Sequence, residues 1–278
     1  MSLDVASVLS FLDEQNRKQA RHFPTLQVDK VLSFMGTTSL PETMCTVGVN
    51  PVRRLEGVGG TGLGGSKELH VHLRGKLPRQ PASGECITVH VTHVDQYQGY
   101  QIKTRTLTGR ETPSALFEDD GTGGVVVKGS HIFTVHHSPY TMKFFEQIPL
   151  EEVMETIGKV PCALVGIGET ANISPRFIFH WQEQDGRPLL FHGDGLALKT
   201  YMNLKSNREE TRTIIDLDTW SGIQLEGTCE EFLPHEHPEA YQRVSEGFSA
   251  GGWGKPSRTF RFHARTWRKL DVAAPLAG

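Results

Sequence analysis

The stretch from Pro161 to Phe232 reads PCALVGIGET ANISPRFIFH WQEQDGRPLL FHGDGLALKT YMNLKSNREE TRTIIDLDTW SGIQLEGTCE EF, and its punctuation decides the fold class. Apolar residues fill Cys162 to Gly166, a turn follows at Glu169 to Ile173, and a second apolar run occupies Arg176 to Trp181. Asp185-Gly186 is a tight-turn dipeptide, and Pro188 to Phe191 returns as a third strand. After Gly193-Asp194-Gly195 comes a short helical pattern carrying Lys199 and Thr200, which ends between Asn203 and Asn207. Further strands surround Gly222 to Gly227. Short apolar runs bounded by Gly, Pro, Asp and Asn predict a mainly β (α+β) chain.

The rest of the chain agrees. With 278 residues it is long enough for one large or two modest domains. A net charge of -3 and the lack of a Lys/Arg stripe argue against nucleic-acid or anionic-membrane partners. The 4 cysteines (Cys45, Cys86, Cys162, Cys229) form no Cys-x-x-Cys and read as buried free thiols, which points to a reducing cytoplasm. The first 23 residues have Val5, Val8, Leu9 and Leu12 at helical spacing, with Asp4 and Asp13 among them. No basic region or continuous apolar core is present there, so the segment reads as an amphipathic helix of a soluble protein.

Helical spacing recurs in three further places: Tyr140 to Gln147 behind Ser138-Pro139, Leu150 to Ile157 behind Pro149, and His237 to Phe248 opened by Pro238. The two central segments suggest a boundary, with one domain over residues 1–137 and another over 138–278. A weak repeat supports two related halves. Gln96-Tyr-Gln-Gly99-Tyr-Gln101-Ile-Lys103 matches Thr219-Trp-Ser-Gly222-Ile-Gln224-Leu-Glu226 in its Gly-x-Gln-x-charged order. Cys45 to Gly48, followed by Asn50-Pro51, loosely echoes Cys162 to Gly166 with Asn172 and Pro175.

A phosphomonoester needs positive charge and converging backbone N–H groups, and a Gly-containing turn running into a helix with an early Lys supplies both. Gly193-Asp194-Gly195 followed by Lys199 and Thr200 has that form, as would a plain surface helix with a solvated lysine. Together with Arg176-Phe-Ile-Phe179, Leu189-Leu-Phe191 and the helix end at Asn203 to Asn207, the stretch resembles the pyridoxamine 5'-phosphate oxidase-like family of FMN-binding split barrels. The resemblance implies a split β-barrel, here two tandem barrel-like domains joined by short helices, and FMN as cofactor. It implies that Lys199 and Thr200 hold the phosphate with Arg176 assisting. The segment Asn172, Ser174, Arg176 and Phe177 would edge the flavin ring, His192 would join the site, and Gln224 or Gln101 would reach the ring from a facing barrel. That barrel would belong to a homodimer partner or to the other half of a pseudo-dimeric chain. Departures accompany these matches. Leu198 stands where the oxidase has Arg, Gly193 where it has a hydroxyl residue, and Arg261-Phe-His263 lies inside a strand before Trp267, unlike the oxidase's C-terminal Arg-x-His.

Other constellations carry less. Gly60-x4-Gly65 is followed by Ser66-Lys67, the reverse of the phosphate-loop order, and reads as a flexible loop. The 13 histidines show no metal-ligand spacing, so no metal is expected. Asp216 and Asp218 read as a hairpin rim. The expected function is that of an FMN flavoprotein, an oxidoreductase acting on a small molecule. The alternatives are a haem-binding or haem-degrading barrel, through His136, His137 or His263, and a module that binds without a cofactor. Trp220, Trp253 and Trp267 are available as ring neighbours.

Overall fold

The computed structural model describes residues 3–22, 30–37, 44–49, 52–58, 68–74, 79, 81–82, 85–93, 98–103, 124–129, 131–135, 162–168, 171–195, 198–216 and 218–271. The central helical segments, His136, His137 and the glycine-rich loop over 59–67 lie outside these residues, as do the side chains of Lys199, Cys45 and Cys162. The chain divides into two compact units: Met1–Thr37 with Pro175–Leu270, and Thr38–Ser174 with Asp271–Gly278. The units therefore part at 37/38 and 174/175, and position 137/138 lies within the second of them.

The first unit is a closed six-stranded barrel, the split-barrel class that the sequence predicts. Its strands are β1 (Val31–Thr37), β10 (Asn172–Gln184), β11 (Arg187–Asp194), β12 (Glu209–Asp216), β13 (Ser221–Glu231) and β14 (Arg258–Asp271), in the order β1-β10-β11-β14-β13-β12. Closure comes from β1 against β12, with Phe34 opposite Thr213 and Gly36 opposite Thr211. The Asp185-Gly186 turn has φ of 52° and 70° at its two residues, the left-handed pair that lets β10 and β11 continue their twist. All three strands predicted around this turn and Gly222 are longer than their apolar runs, because ladder bonding continues past the hydrophobic residues into the rim.

Period-two alternation sends Val31, Met35, Ile178, Leu190, Ile214, Ile223, Leu225, Phe260 and Phe262 into one buried core. Helix α1 (Val5–His22) adds Val8 and Leu12, and α2 (Leu198–Ser206) adds Leu204. Asp4 caps α1 by accepting the Ser7 N–H at 2.7 Å. The polar side of α1 then docks on the barrel: Asn16 Oδ1 accepts the Lys30 N–H at 2.7 Å, and Gln19 Oε1 accepts that of Leu32 at 2.5 Å. Gln15 and Lys18 both donate to Asp216 Oδ2, at 2.8 and 2.5 Å. Asp216 Oδ1 accepts the N–H of Asp218, so the carboxylate pair is the hairpin rim that its spacing suggests. Burial would raise the Asp216 pKa, but Lys18, Gln15 and the Asp218 N–H together hold it below its ordinary value.

Helix α3 (Pro238–Ala250) covers β10 and β11 from outside, burying Ala240, Val244, Gly247 and Phe248. Gly247 lies against the ring of Phe179, where an added Cβ would meet ring carbon at 2.1 Å.

The second unit has a five-stranded sheet, β2-β9-β5-β6-β8, and a three-stranded sheet, β3-β4-β7. Its strands are β2 (Met44–Val49), β3 (Val52–Val58), β4 (Glu68–Arg74), β5 (Cys86–His93), β6 (Gln98–Lys103), β7 (Gly124–Gly129), β8 (His131–Val135) and β9 (Cys162–Gly168). In the sequence only Asn50 and Pro51 separate β2 from β3, and only Ser130 separates β7 from β8. The sequence repeat is a structural one. His90 pairs with Gln101 and Thr88 with Lys103 on β5–β6, as Thr213 pairs with Gln224 and Thr211 with Glu226 on β12–β13. The third strand keeps the register: Leu164 and Gly166 of β9 face His90 and Thr88, as Phe34 and Gly36 of β1 face Thr213 and Thr211. The echo between Cys45 to Gly48 and Cys162 to Gly166 is not of this kind, because β2 and β9 are neighbours in one sheet.

No helix among the described residues is long and apolar enough to cross a membrane. Replacing Gly247 by Ala should lower stability by about 1–3 kcal/mol, because the Phe179 ring or α3 must move. Urea denaturation followed by tryptophan fluorescence checks this, and an unchanged midpoint would show that α3 sits more loosely than drawn.

Candidate functional site

The alternation of β12 explains an unusual barrel interior. Ile214 points inward, so Glu210 and Arg212 on the same face do too, and both are 0% exposed. Arg212 Nε forms an ion pair with Glu210 Oε1. Its Nη1 donates to Ser33 Oγ of β1 at 3.1 Å, and its Nη2 donates to His192 Nδ1 of β11 at 2.9 Å. The Ser33 hydroxyl in turn donates to the Arg176 carbonyl of β10 at 3.2 Å. Cys229 of β13 is buried in the same cluster as a free thiol.

Desolvation keeps the His192 pKa well below its ordinary value, with Arg212 and Arg176 pushing the same way, so the ring is a neutral acceptor. Burial raises the Glu210 carboxyl even though Arg212 opposes it, and raises the Cys229 thiol, with Glu210 adding to that shift. The thiol is thus protonated and unreactive.

Arg176 extends this cluster toward α2. Its Nη2 lies 3.5 Å from Thr200 Oγ1 and 3.8 Å from Asp194 Oδ1, while its Nη1 donates to the Pro175 carbonyl at 2.9 Å. Its buried Nε has no hydrogen-bond partner among the described residues. Burial lowers the Arg176 pKa, and Asp194 counters it. Ser257 closes the other side, its N–H donating to the Asp194 carbonyl at 2.9 Å and its hydroxyl to the Gly195 carbonyl at 2.7 Å. Arg258 follows, stacked on Tyr201 of α2 at 3.8 Å.

Of the residues singled out from sequence, Arg176, His192 and Thr200 meet here, and the backbone of Lys199 lies in the first turn of α2. Phe177 points the opposite way, stacked on Trp253 at 6.0 Å between centroids. Lys30 sits over that ring at 5.2 Å; it is 3% exposed with no acceptor for its ammonium among the described residues, and burial pulls its pKa to about 8. Gln224 is on the outer barrel face with its amide in use: it donates to Thr213 Oγ1 at 3.0 Å and accepts from Arg268 Nε at 3.0 Å. In the second unit Gln101 donates to the Ile173 carbonyl, Lys103 donates to Asn172 Oδ1 at 2.7 Å, and the buried Ser174 hydroxyl has no partner among the described residues.

Gly193 also has a structural reason. A Cβ there would meet Phe248 at 2.3 Å and Val244 at 2.9 Å, so α3 occupies the space a hydroxyl side chain would need. Arg261 and His263 lie within β14, where Glu230 and His237 engage them. Trp267 donates to the Leu3 carbonyl at 2.8 Å. Among the described residues no group of three or more His, Cys, Asp or Glu could hold a metal ion. Sequence reading missed Ser33, Asp194, Glu210 and Arg212. The available signal was the run Glu210-Thr-Arg212-Thr-Ile214, in which two charges share a strand face with a core isoleucine.

No protein-family model matches the chain, and no curated protein matches it. Among solved structures, HupZ of Group A Streptococcus is similar at 18% identity over 39% of this chain and 80% of its own, with a TM-score of 0.29. A general stress protein 26-related protein of Clostridium acetobutylicum, described as of the pyridoxinephosphate oxidase family, is similar at 18% identity over 37% and 72%, with a TM-score of 0.29. A heme binding protein from Mycobacterium smegmatis is similar at 17% identity over 38% and 45%, with a TM-score of 0.27. Similarities of this size carry no functional argument.

Two outcomes follow from the cluster. Arg212→Leu leaves Glu210 without its counter-charge in the interior and should cost about 3–5 kcal/mol of stability, measured by urea denaturation. Below the unfolded value of 6.5, an unfolded chain takes up a proton that folded His192 refuses. Stability should therefore fall as pH drops from about 7 to about 5, and fall less in His192→Gln; equal slopes in the two proteins would contradict a neutral buried ring.

Proposed function

We propose that the barrel binds FMN, with its phosphate at the start of α2, and that the protein is a flavin-dependent oxidoreductase acting on a small molecule. The observation that carries this reading is Arg176: a largely buried guanidinium facing Thr200, with an Nε that has no hydrogen-bond partner among the described residues. An anion received there would meet the hydroxyl of Thr200 and the opening turn of α2, whose dipole favours negative charge. Asp194 is a competing anion, but at 3.8 Å it is a weak partner for Arg176 and leaves Nε free. The donor set thus fits a phosphate.

Arg176, Thr200 and Lys199 would hold that phosphate, and the bound flavin would supply hydride or electron transfer. The chain's own part is binding and orientation. The Ser33 hydroxyl fixes the β10 backbone at Arg176, and neutral His192 leaves the positive charge to the two arginines. Contacts to a flavin ring from Phe177 and Gln224 belong to the same proposal; Asn172, Ser174 and Gln101 are flavin-contact candidates within the second unit. Binding through Gln224 would require its amide to leave Thr213 or Arg268.

Binding assays with FMN and with riboflavin, which lacks the phosphate, separate the parts of this reading. The purified protein should show flavin absorption or take up FMN, and should prefer FMN to riboflavin. Arg176→Leu and Lys199→Ala should each weaken FMN binding by about tenfold while leaving riboflavin binding nearly unchanged. Equal affinity of the wild type for both flavins would refute the phosphate assignment. A haem Soret band in place of flavin bands would refute the cofactor.

A further inference from the structure

The two units serve as a comparison for each other, because three neighbouring strands keep one register in both. Residues 88–103 and 211–226 correspond without a gap, and β9 corresponds to β1 with Leu164 at the place of Phe34. On that correspondence Glu210 falls on Ile87, Arg212 on Val89, and Ser33 on Ala163. Ile87 and Val89 are both 0% exposed core residues of the second unit. The same backbone frame is therefore built once around an ion pair and once around Ile87 and Val89, and the sequence carries alanine where the first unit has Ser33.

A buried ion pair is poor support for stability, since desolvating two charges offsets most of their attraction and an apolar set of similar volume replaces it without loss. The second unit contains that apolar set. What the polar set does instead is reach Arg176. Glu210 pairs with Arg212, Arg212 donates to Ser33 at 3.1 Å, and Ser33 donates to the Arg176 carbonyl at 3.2 Å. The chain of contacts fixes the strand that carries Arg176 at the residue whose side chain turns toward Thr200.

We propose that Ser33, Glu210 and Arg212 are positioning residues, which hold Arg176 in place for an anionic ligand and which the barrel does not need in order to fold. This rests on the reading of Arg176 as a phosphate-binding residue.

The test transplants the second unit's own residues into the full chain as Ser33→Ala, Glu210→Ile and Arg212→Val together, with Ser33→Ala alone as a milder variant. Urea midpoints without ligand and affinities for FMN and riboflavin are measured for both variants and the wild type. The triple variant should be at least as stable as the wild type, and its preference for FMN over riboflavin should fall by about tenfold. Ser33→Ala should lower that preference by a smaller factor with the fold intact. A triple variant that unfolds shows that the cluster is structural and overturns the proposal, as does an unchanged FMN preference in both variants. A wild-type protein that binds neither flavin, or both equally, overturns the phosphate reading and this inference with it. A wild type that prefers FMN, with variants that share the preference, overturns this inference alone.

Discussion

Everything particular about the barrel depends on one buried ion pair, Glu210 with Arg212, in a place where apolar residues would serve the fold. Taking a carboxylate and a guanidinium out of water carries a desolvation cost of several kcal/mol for each ion. The surroundings offset that cost through the contacts of Arg212 with Ser33 and His192. The pair reaches three strands besides its own, because Ser33 lies on β1, His192 on β11, and Ser33 passes the contact to Arg176 on β10. The contacts of the core pair thereby end at the backbone of Arg176.

That arrangement requires β1 to be inside the ring. Pairing with β12 puts Met35 opposite Arg212 and brings Ser33 within hydrogen-bond reach of it, although 179 positions separate Ser33 and Arg212. Helix α1 makes the closure durable by supplying acceptors, Asn16 and Gln19, to backbone N–H groups at the entrance of β1. Such groups would otherwise be costly to bury. Each unit takes in one strand remote in the chain: β1 joins β10–β14 in the barrel, and β9 lies between β2 and β5 in the five-stranded sheet. The compact units part at 37/38 and 174/175 rather than between sequence halves.

Much of the fold was legible because its signals are local. The Asp185-Gly186 turn, the Pro-opened α3, the amphipathic α1 and the Gly-x-Gln repeat each need only a few adjacent residues to be recognised. The site was legible in part. Arg176, Thr200 and His192 do converge, but Phe177 follows Arg176 in an extended strand and so faces the other way. The amide of Gln224 was readable as a polar group on a strand, but its engagement by Thr213 and Arg268 depends on two neighbouring strands. Gly193 looked like a lost hydroxyl; only the packing of Phe248 and Val244 shows that no side chain fits there.

By itself the sequence determined the β-rich class, the turns, the helices α1 and α3 and the repeat in register, because all of these follow from period, turn chemistry and caps within short windows. Tertiary structure alone decided which strand closes which ring, and hence that Ser33, His192, Glu210 and Arg212 form one cluster. Contacts between residues far apart in the chain leave no local pattern. A charged residue on a strand face reads as solvent-facing until the ring closes around it.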